Sequence, residues 1–527
     1  MKKKTTFIAL CCITLITFIA ISWLLSIYGF NPTDEGTVLS LSRRLLMGEI
    51  PHKDFISIRP VGSGILHIPE LFLGNNYVFF ISRLVVCFQF GVIVLMAILL
   101  IEKASDFKTS VLNKCLIFLT GFLLTINSFP MMAWTTIDAL FCVMLGTWLS
   151  IHENQYLKQF GYGITAYAVL CKQNFLLVPF VLVILNRDYK NVGVWLFTLL
   201  PMLVYGELVY FSKSWKDALM QLSARTEIFE TGVKSYYKQP LLWIGLGIGQ
   251  LVFLIFNKEK IAWLKTIFVL MMPATLLIAL SFRDSYKAVF YFEFGIALSL
   301  FLLKAFQRRS LAEYLFYTLV IAWCTSISLG YNSPALAAGL LWIAMLGDMV
   351  IDKKWINIFI SLNFILVFAA SFRLRTHFIY RDNDAMKLKS AIKVDGFAGI
   401  KTNANTAAAM NELNTICKKI NRENYCVITD YAAFWATHSF DNPLPLDWTI
   451  DEEISSKLLY KRCWQSITNN PKIKFVIAQK YETEFLKDSL VAINSKVLHK
   501  TLIDSVQQHY IKKWEGKYFS VFTKPML

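Results

Sequence analysis

The chain has 527 residues, of which 56% are hydrophobic, 15% aromatic and only 17% charged, with a mean hydropathy of +0.49. Soluble proteins carry roughly 25% charged residues, so the composition excludes an ordinary water-soluble enzyme, and the apolar surplus must face lipid. The formal net charge of +17 would point to nucleic acid in a soluble chain. Here the basic residues cluster briefly between apolar runs, which is the pattern of membrane topology and argues against nucleic acid.

A membrane-crossing helix needs about 20 mostly apolar residues. Thirteen such runs begin near positions 7, 77, 115, 137, 159, 175, 192, 240, 262, 288, 311, 334 and 356. The first follows Met-Lys-Lys-Lys, but its apolar stretch from Phe7 to Tyr28 outruns a signal peptide and no small-x-small cleavage site follows, so it reads as a retained helix. Lys2 to Lys4, Lys103, Lys108, Lys114, Lys158, Arg187, Lys190, Lys258, Lys260, Lys265, Lys304, Arg308, Arg309, Lys353 and Lys354 fall in alternate loops, on the side of the N-terminus. The opposite loops are sparser in charge, which places the N-terminus in the cytoplasm and, with an odd number of spans, the tail outside. The two short runs flanking Lys172-Gln173-Asn174 read either as two spans or as one broken helix, and that choice sets the parity.

Three outer segments are long enough to have structure of their own: 29–76, 213–239 and the tail 374–527. In the tail, Thr402-Asn403 can cap a helix carrying Met410, Leu413, Ile416, Cys417 and Ile420 at helical spacing. Strands are expected at 425–429, 475–478 and 518–522, with a helical stretch near 482–499, so 374–527 reads as a soluble extracytoplasmic α/β domain behind a transmembrane domain at 1–373. The tail contains no GxGxxG, Walker A loop or nucleophile elbow, which argues against nucleotide binding there. Of ten cysteines, seven lie in apolar runs and none forms a CxxC. The seven histidines show no HxxxH spacing, so neither a disulfide framework nor a preformed metal site is signalled.

The chemistry is therefore expected outside, beginning with Asn31-Pro32-Thr33-Asp34-Glu35-Gly36 just beyond the first span. These acids serve equally as the N-terminal cap of the amphipathic segment 37–44. Next come Gly48-Glu49-Ile50-Pro51-His52-Lys53-Asp54-Phe55, Arg59-Pro60-Val61-Gly62-Ser63-Gly64, Gly74-Asn75-Asn76, and Arg83-Leu84 in the second span. Over residues 1–100 this order resembles the GT-C glycosyltransferases, in the branch holding protein O-mannosyltransferases and the lipid A aminoarabinose transferase. The later spans resemble them in topology and isolated motifs. The chain departs in having Arg59 where many relatives carry a second Pro or an aromatic residue.

The resemblance implies a polytopic α-helical membrane protein of about 13 spans in a bacterial cytoplasmic membrane. Its implied partners are the bilayer, a polyprenyl-phosphate sugar donor and an envelope acceptor, whether lipid, glycan or protein. The family's catalytic acid falls on Asp34, with Glu35 beside it, and the second acidic position on Asp138. The Lys-Gln pair of relatives matches Lys172-Gln173, a later outer basic residue matches Arg283, and His52, Lys53 and Asp54 fall in the substrate-facing loop motif.

Sugar transfer from a polyprenyl phosphate needs a base for the acceptor proton, which a partly buried carboxylate such as Asp34 can supply. It also needs cations on the departing phosphate, for which Lys172, Arg283, Arg59 and Arg83 are candidates. Each has a plainer role open to it: Asp138 as a helix cap, Lys172 snorkelling to the interface, Arg283 pairing with Asp284. A divalent cation between Glu35 and the phosphate stays open, because hard oxygen ligands leave no spacing signature. The aromatic segment from Phe229 to Tyr237 is expected on the membrane surface beside the acceptor groove. The alternatives are a transporter or flippase, or a polymerase, of lipid-linked glycans. Transporters usually show internal repeats and midplane charge, and neither is evident.

Overall fold

The computed structural model describes residues 2–127, 129–224, 227–256, 261–282, 288–307, 309–328, 332–349, 354–420, 424–438, 440, 442–451, 453–454, 456–493 and 501–525. Arg283 and the rest of its loop, 284–287, lie outside these residues, as do Lys258, Lys260, Arg308 and Lys353.

Each of the thirteen apolar runs falls on a helix. The chain opens with α1 (Lys2–Ser26), and the first outer segment carries α2 (Thr37–Leu46), α3 (Gly62–Leu66) and α4 (Ile68–Leu73). The bundle continues through α5 (Val78–Ala104), α6 (Val111–Ile126), α7 (Thr135–Ser150), α8 (Gln155–Cys171), α9 (Leu177–Leu185) and α10 (Val192–Phe211). The second outer segment folds as α11 (Trp215–Leu222) and α12 (Glu227–Tyr237). After it come α13 (Pro240–Ile255), α14 (Ala262–Phe282), α15 (Ala288–Lys304), α16 (Arg309–Ser326), α17 (Ala338–Leu346) and α18 (Lys354–His377). Among the described residues five helices are long and apolar enough to cross a bilayer alone. A sixth crossing arises if α11 to α13, bent by 47°, count as one. The other apolar helices fall short in length or hydropathy, so about 13 crossings goes beyond what helix length supports.

Polar contacts sort the helix ends into two sets. At one end Lys103 donates to the Ile151 carbonyl, Lys158 pairs with Asp188 at 2.7 Å and Arg187 with Glu313 at 2.7 Å. Asp348 there accepts Lys265 and Lys304 at 2.6 and 2.8 Å. All of these cations belong to the basic loops of the N-terminal side. The same contacts resolve the stretch around Lys172. Tyr162 and Lys158, early in α8, both reach Asp188, just past the end of α9. The two helices are thus antiparallel and the chain reverses at 172–176, rather than forming one broken helix. The reversal is built by the extended Lys172 followed by a single 3-10 turn at Gln173–Phe175.

At the other end the tail docks on the first outer segment. Its first strands, β1 (Ser390–Ala391) and β2 (Lys401–Thr402), pair antiparallel. Helix α19 (Ala404–Lys419) follows, capped by the Asn403 side chain, which accepts from the Thr406 amide at 2.8 Å. The remaining elements are β3 (Tyr425–Ile428), α20 (Ala432–Thr437), α21 (Lys457–Asn469), β4 (Phe475–Gln479), α22 (Thr501–His509), β5 (Ile511–Glu515) and β6 (Phe519–Thr523). They form a four-stranded sheet in the order β3-β4-β6-β5, with β3 and β4 parallel across the α21 crossover and the rest antiparallel. The helix expected near 482–499 is displaced. Residues 483–485 make only a 3-10 turn, 494–500 lie outside the described residues, and the helix is α22. Strand β5 was not expected, because all five of its residues are exposed and Ile-Lys-Lys-Trp-Glu lacks the alternation of a half-buried strand.

The docking is a shared core. Phe30 and Phe79 pack edge to face, and both meet Phe397 of the tail. The Gly29 amide donates to the Lys401 carbonyl, the Lys401 amide to that of Ile27, and the Ala433 amide to that of Pro32. This approach explains the glycine of Asp-Glu-Gly: a Cβ on Gly36 would lie 1.9 Å from the Ala433 nitrogen. Arg44 fastens the other flank. Its guanidinium donates to both carboxylate oxygens of Asp447 at 2.7 and 2.8 Å, to the Leu444 carbonyl and to Glu49.

Candidate functional site

Where the helix bundle meets the tail there is a cavity of about 1690 Å³. Asp34, Arg59, Lys172 and Gln173 all line it, so four of the residues singled out from the sequence converge on one space. Its apolar wall includes Leu176, Leu177, Ile228, Phe229 and Trp323, so α12 does help to shape it.

Asp34 and Glu35 occupy one 3-10 turn, Asp34–Gly36. With 3.0 residues per turn, adjacent side chains diverge by about 120°, and the two acids meet different surroundings. The Asp34 Oδ2 accepts from the Tyr380 hydroxyl at 2.7 Å and from Arg381 at 3.1 Å. Its Oδ1 has no hydrogen bond among the described residues. Burial raises the Asp34 carboxyl above the ordinary Asp range. Arg381 and Tyr380 pull it back, Asp430 and Glu484 push it up, and the net direction is upward.

Glu35 turns the other way. Arg83 donates to both of its oxygens, at 2.5 and 2.9 Å, and also to the carbonyls of Ser26 and Gly29. Neither residue lines the cavity. Arg83 thus pairs with Glu35 and with the end of α1, away from the space that Asp34 lines. Among the described residues no group of three or more His, Cys, Asp or Glu could hold a metal ion. Arg83→Ala is expected to lower stability by about 3–5 kcal/mol, because it strands a buried carboxylate. Thermal unfolding in detergent checks this, with Arg83→Met combined with Glu35→Gln recovering most of the loss.

Asp138 is likewise buried away from the cavity. Its Oδ1 accepts from His67 Nε2 at 2.9 Å and Gln89 Nε2 at 2.8 Å, while His67 Nδ1 faces Glu70 at 2.7 Å. The cluster bolts the first outer segment to α5 and α7. Burial pulls the His67 imidazole down, but Asp138 and Glu70 outweigh it and raise it to about 10. A raised value means that this stabilisation is complete below about 6.5, the unfolded value, and is lost as pH rises towards 10. The melting temperature is expected to fall across that window, and the slope to flatten in His67→Gln.

His52, Lys53 and Asp54 form a turn outside the cavity. His52 is fully buried between Gln221 and Tyr205, at 2.8 and 2.6 Å, and burial lowers its ring below the usual His value. Lys53 is exposed, and Asp54 closes the turn on the Ile50 amide at 2.7 Å. The three shape the loop rather than touch the cavity.

Lys172 is the most telling side chain. It is buried, and its ammonium donates to the Thr136 hydroxyl at 2.7 Å. No carboxylate pairs with it among the described residues. Arg59, the second cation on this wall, pairs with Glu453 at 3.1 Å. Gln173 donates to the Ile58 carbonyl at 3.4 Å, and its Oε1 is buried with no partner among the described residues. A buried amine without a counter-charge is costly to hold protonated, which makes it a candidate for pairing with an anion.

The sequence reading missed the tail's share of this wall: Tyr380, Arg381, Asp430, Glu453 and Glu484. One signal was available. Arg373, Arg375, His377 and Arg381 gather at the end of the last span opposite the basic loops, against the usual charge bias.

No protein-family model and no curated protein matches the chain. Among solved structures it is similar to ArnT from Cupriavidus metallidurans bound to undecaprenyl phosphate, with 11% identity and a TM-score of 0.41 over 97% of this chain and 99% of that one.

Proposed function

We propose that this chain is an integral-membrane glycosyltransferase that moves a monosaccharide from a polyprenyl-phosphate carrier to a hydroxyl of an envelope acceptor on the extracytoplasmic side. The observation that carries the reading is the cavity wall itself, where an unpaired buried ammonium, Lys172, and a carboxylate with one open oxygen, Asp34, line the same space. In this reading Asp34 takes the acceptor proton, the acceptor oxygen bonds to the anomeric carbon, and the bond from that carbon to the phosphate oxygen breaks. The electron pair leaves with the phosphate, whose charge Lys172 and Arg59 neutralise. The apolar wall from Leu176 to Trp323 suits a lipid chain, and the N-terminus is assigned to the cytoplasm by the distribution of Lys and Arg.

The test is release of polyprenyl phosphate by the purified full-length protein from a panel of polyprenyl-phosphate sugars, with wild type compared with Asp34→Asn. Transfer that depends on Asp34 supports the reading. Consumption of no lipid-linked sugar with any acceptor offered contradicts it.

A further inference from the structure

The base is held by residues that the proposed chemistry has not yet used. The connector after α18 presents Tyr380 and Arg381 side by side, and both bond to the same oxygen of Asp34. The Arg381 guanidinium also lies over the Tyr380 ring, 5.2 Å from its centroid. Arg381 has φ +52°, a conformation that costs a non-glycine residue energy and persists only where its surroundings hold it.

Those surroundings are explicit. On one side the Phe378 amide closes the last turn of α18 on the Leu374 carbonyl. On the other, Asp382 is fixed by four donors: the Phe30 and Asn383 amides, the Thr402 hydroxyl and the Asn403 side chain. One of them, Phe30, belongs to the acidic loop itself, so the connector and the loop bearing Asp34 are bolted together one residue beyond Arg381.

We propose that Tyr380 and Arg381 are positioning residues for Asp34: by occupying Oδ2 they present Oδ1 to the acceptor hydroxyl. This rests on the reading of Asp34 as the base. Its consequence is that the tail connector completes the reaction centre rather than merely covering it. The charged and titratable groups acting on Asp34 are Arg381 and Tyr380 from the connector, Asp430 from the segment after β3 and Glu484 from the segment after β4. Arg381 is also shared with Glu484, at 3.9 Å. Removing Arg381 therefore leaves Asp34 facing two acids with no other cation in ion-pair range among the described residues, which favours its protonated form. Tyr380 donates to the ionised carboxylate, so its loss acts in the same direction.

The experiment is an infrared titration of the full-length protein in nanodiscs, with the Asp34 carboxyl band isolated by subtracting Asp34→Asn, alongside the pH dependence of sugar transfer. Arg381→Gln is expected to move the infrared midpoint up by about one pH unit or more, Tyr380→Phe to move it less, and Arg381→Lys to restore most of it. The acid limb of the transfer rate should move with the midpoint while the donor KM stays unchanged. An unmoved midpoint in both Arg381→Gln and Tyr380→Phe overturns the proposal. So does a rise in donor KM with an unmoved acid limb, which would make Arg381 a phosphate ligand. Full transfer by Asp34→Asn would overturn the base assignment and the pair's role in the reaction, and the infrared midpoints would still report whether the clamp exists.

Discussion

Asp34→Asn is expected to lower turnover of a lipid-linked sugar by about 10²- to 10⁴-fold, the usual contribution of a positioned general base, with the donor KM unchanged. The substitution is nearly isosteric, and the amide oxygen can still accept from Tyr380, so the clamp geometry survives while the basicity is lost. Arg381 keeps Glu484 as a counter-charge, which limits any loss of stability. A folded protein with normal donor affinity and almost no transfer is therefore the predicted phenotype, measured by steady-state kinetics together with thermal unfolding.

Lys172→Met separates function from structure by the signs of its two effects. Removing a cation from a developing phosphate charge is expected to cost roughly 10²- to 10³-fold in kcat. Yet the ammonium is buried with Thr136 as its bonded partner and, among the described residues, no carboxylate pairs with it. Replacing it by an apolar chain of similar length relieves a desolvation cost, so the melting temperature is expected to hold or rise. A lysine kept for stability would behave in the opposite way, with a lower melting temperature and unchanged turnover.

The positions of the helices were legible because lipid imposes the strongest constraint in the sequence: long apolar runs have few alternatives to helix. The partners of charged residues were not. Asp34 and Glu35 are indistinguishable as letters, and only the 3-10 turn that parts them sends one to the cavity and the other to Arg83, 48 residues later. Arg83 was visible as a basic residue in a span, but its reach back to the end of α1 is a tertiary fact. Asp138 was singled out in the sequence, and its union with His67, 71 residues away, was not. The tail's contribution lay furthest from view, since Tyr380 stands 346 positions from the carboxylate that it binds. The basic cluster at the tail-side end of α18 pointed to the region without naming the contact.

The central claim is that one cavity wall holds both the phosphate of a lipid carrier and the base for the acceptor. The most direct measurement is a structure of the full-length protein in nanodiscs with a non-transferable polyprenyl-phosphonate sugar. The account predicts the phosphonate beside Lys172 and Arg59, with the sugar between it and the open oxygen of Asp34. A headgroup bound at the opposite end of the bundle, near Asp348 and Lys265, would contradict it.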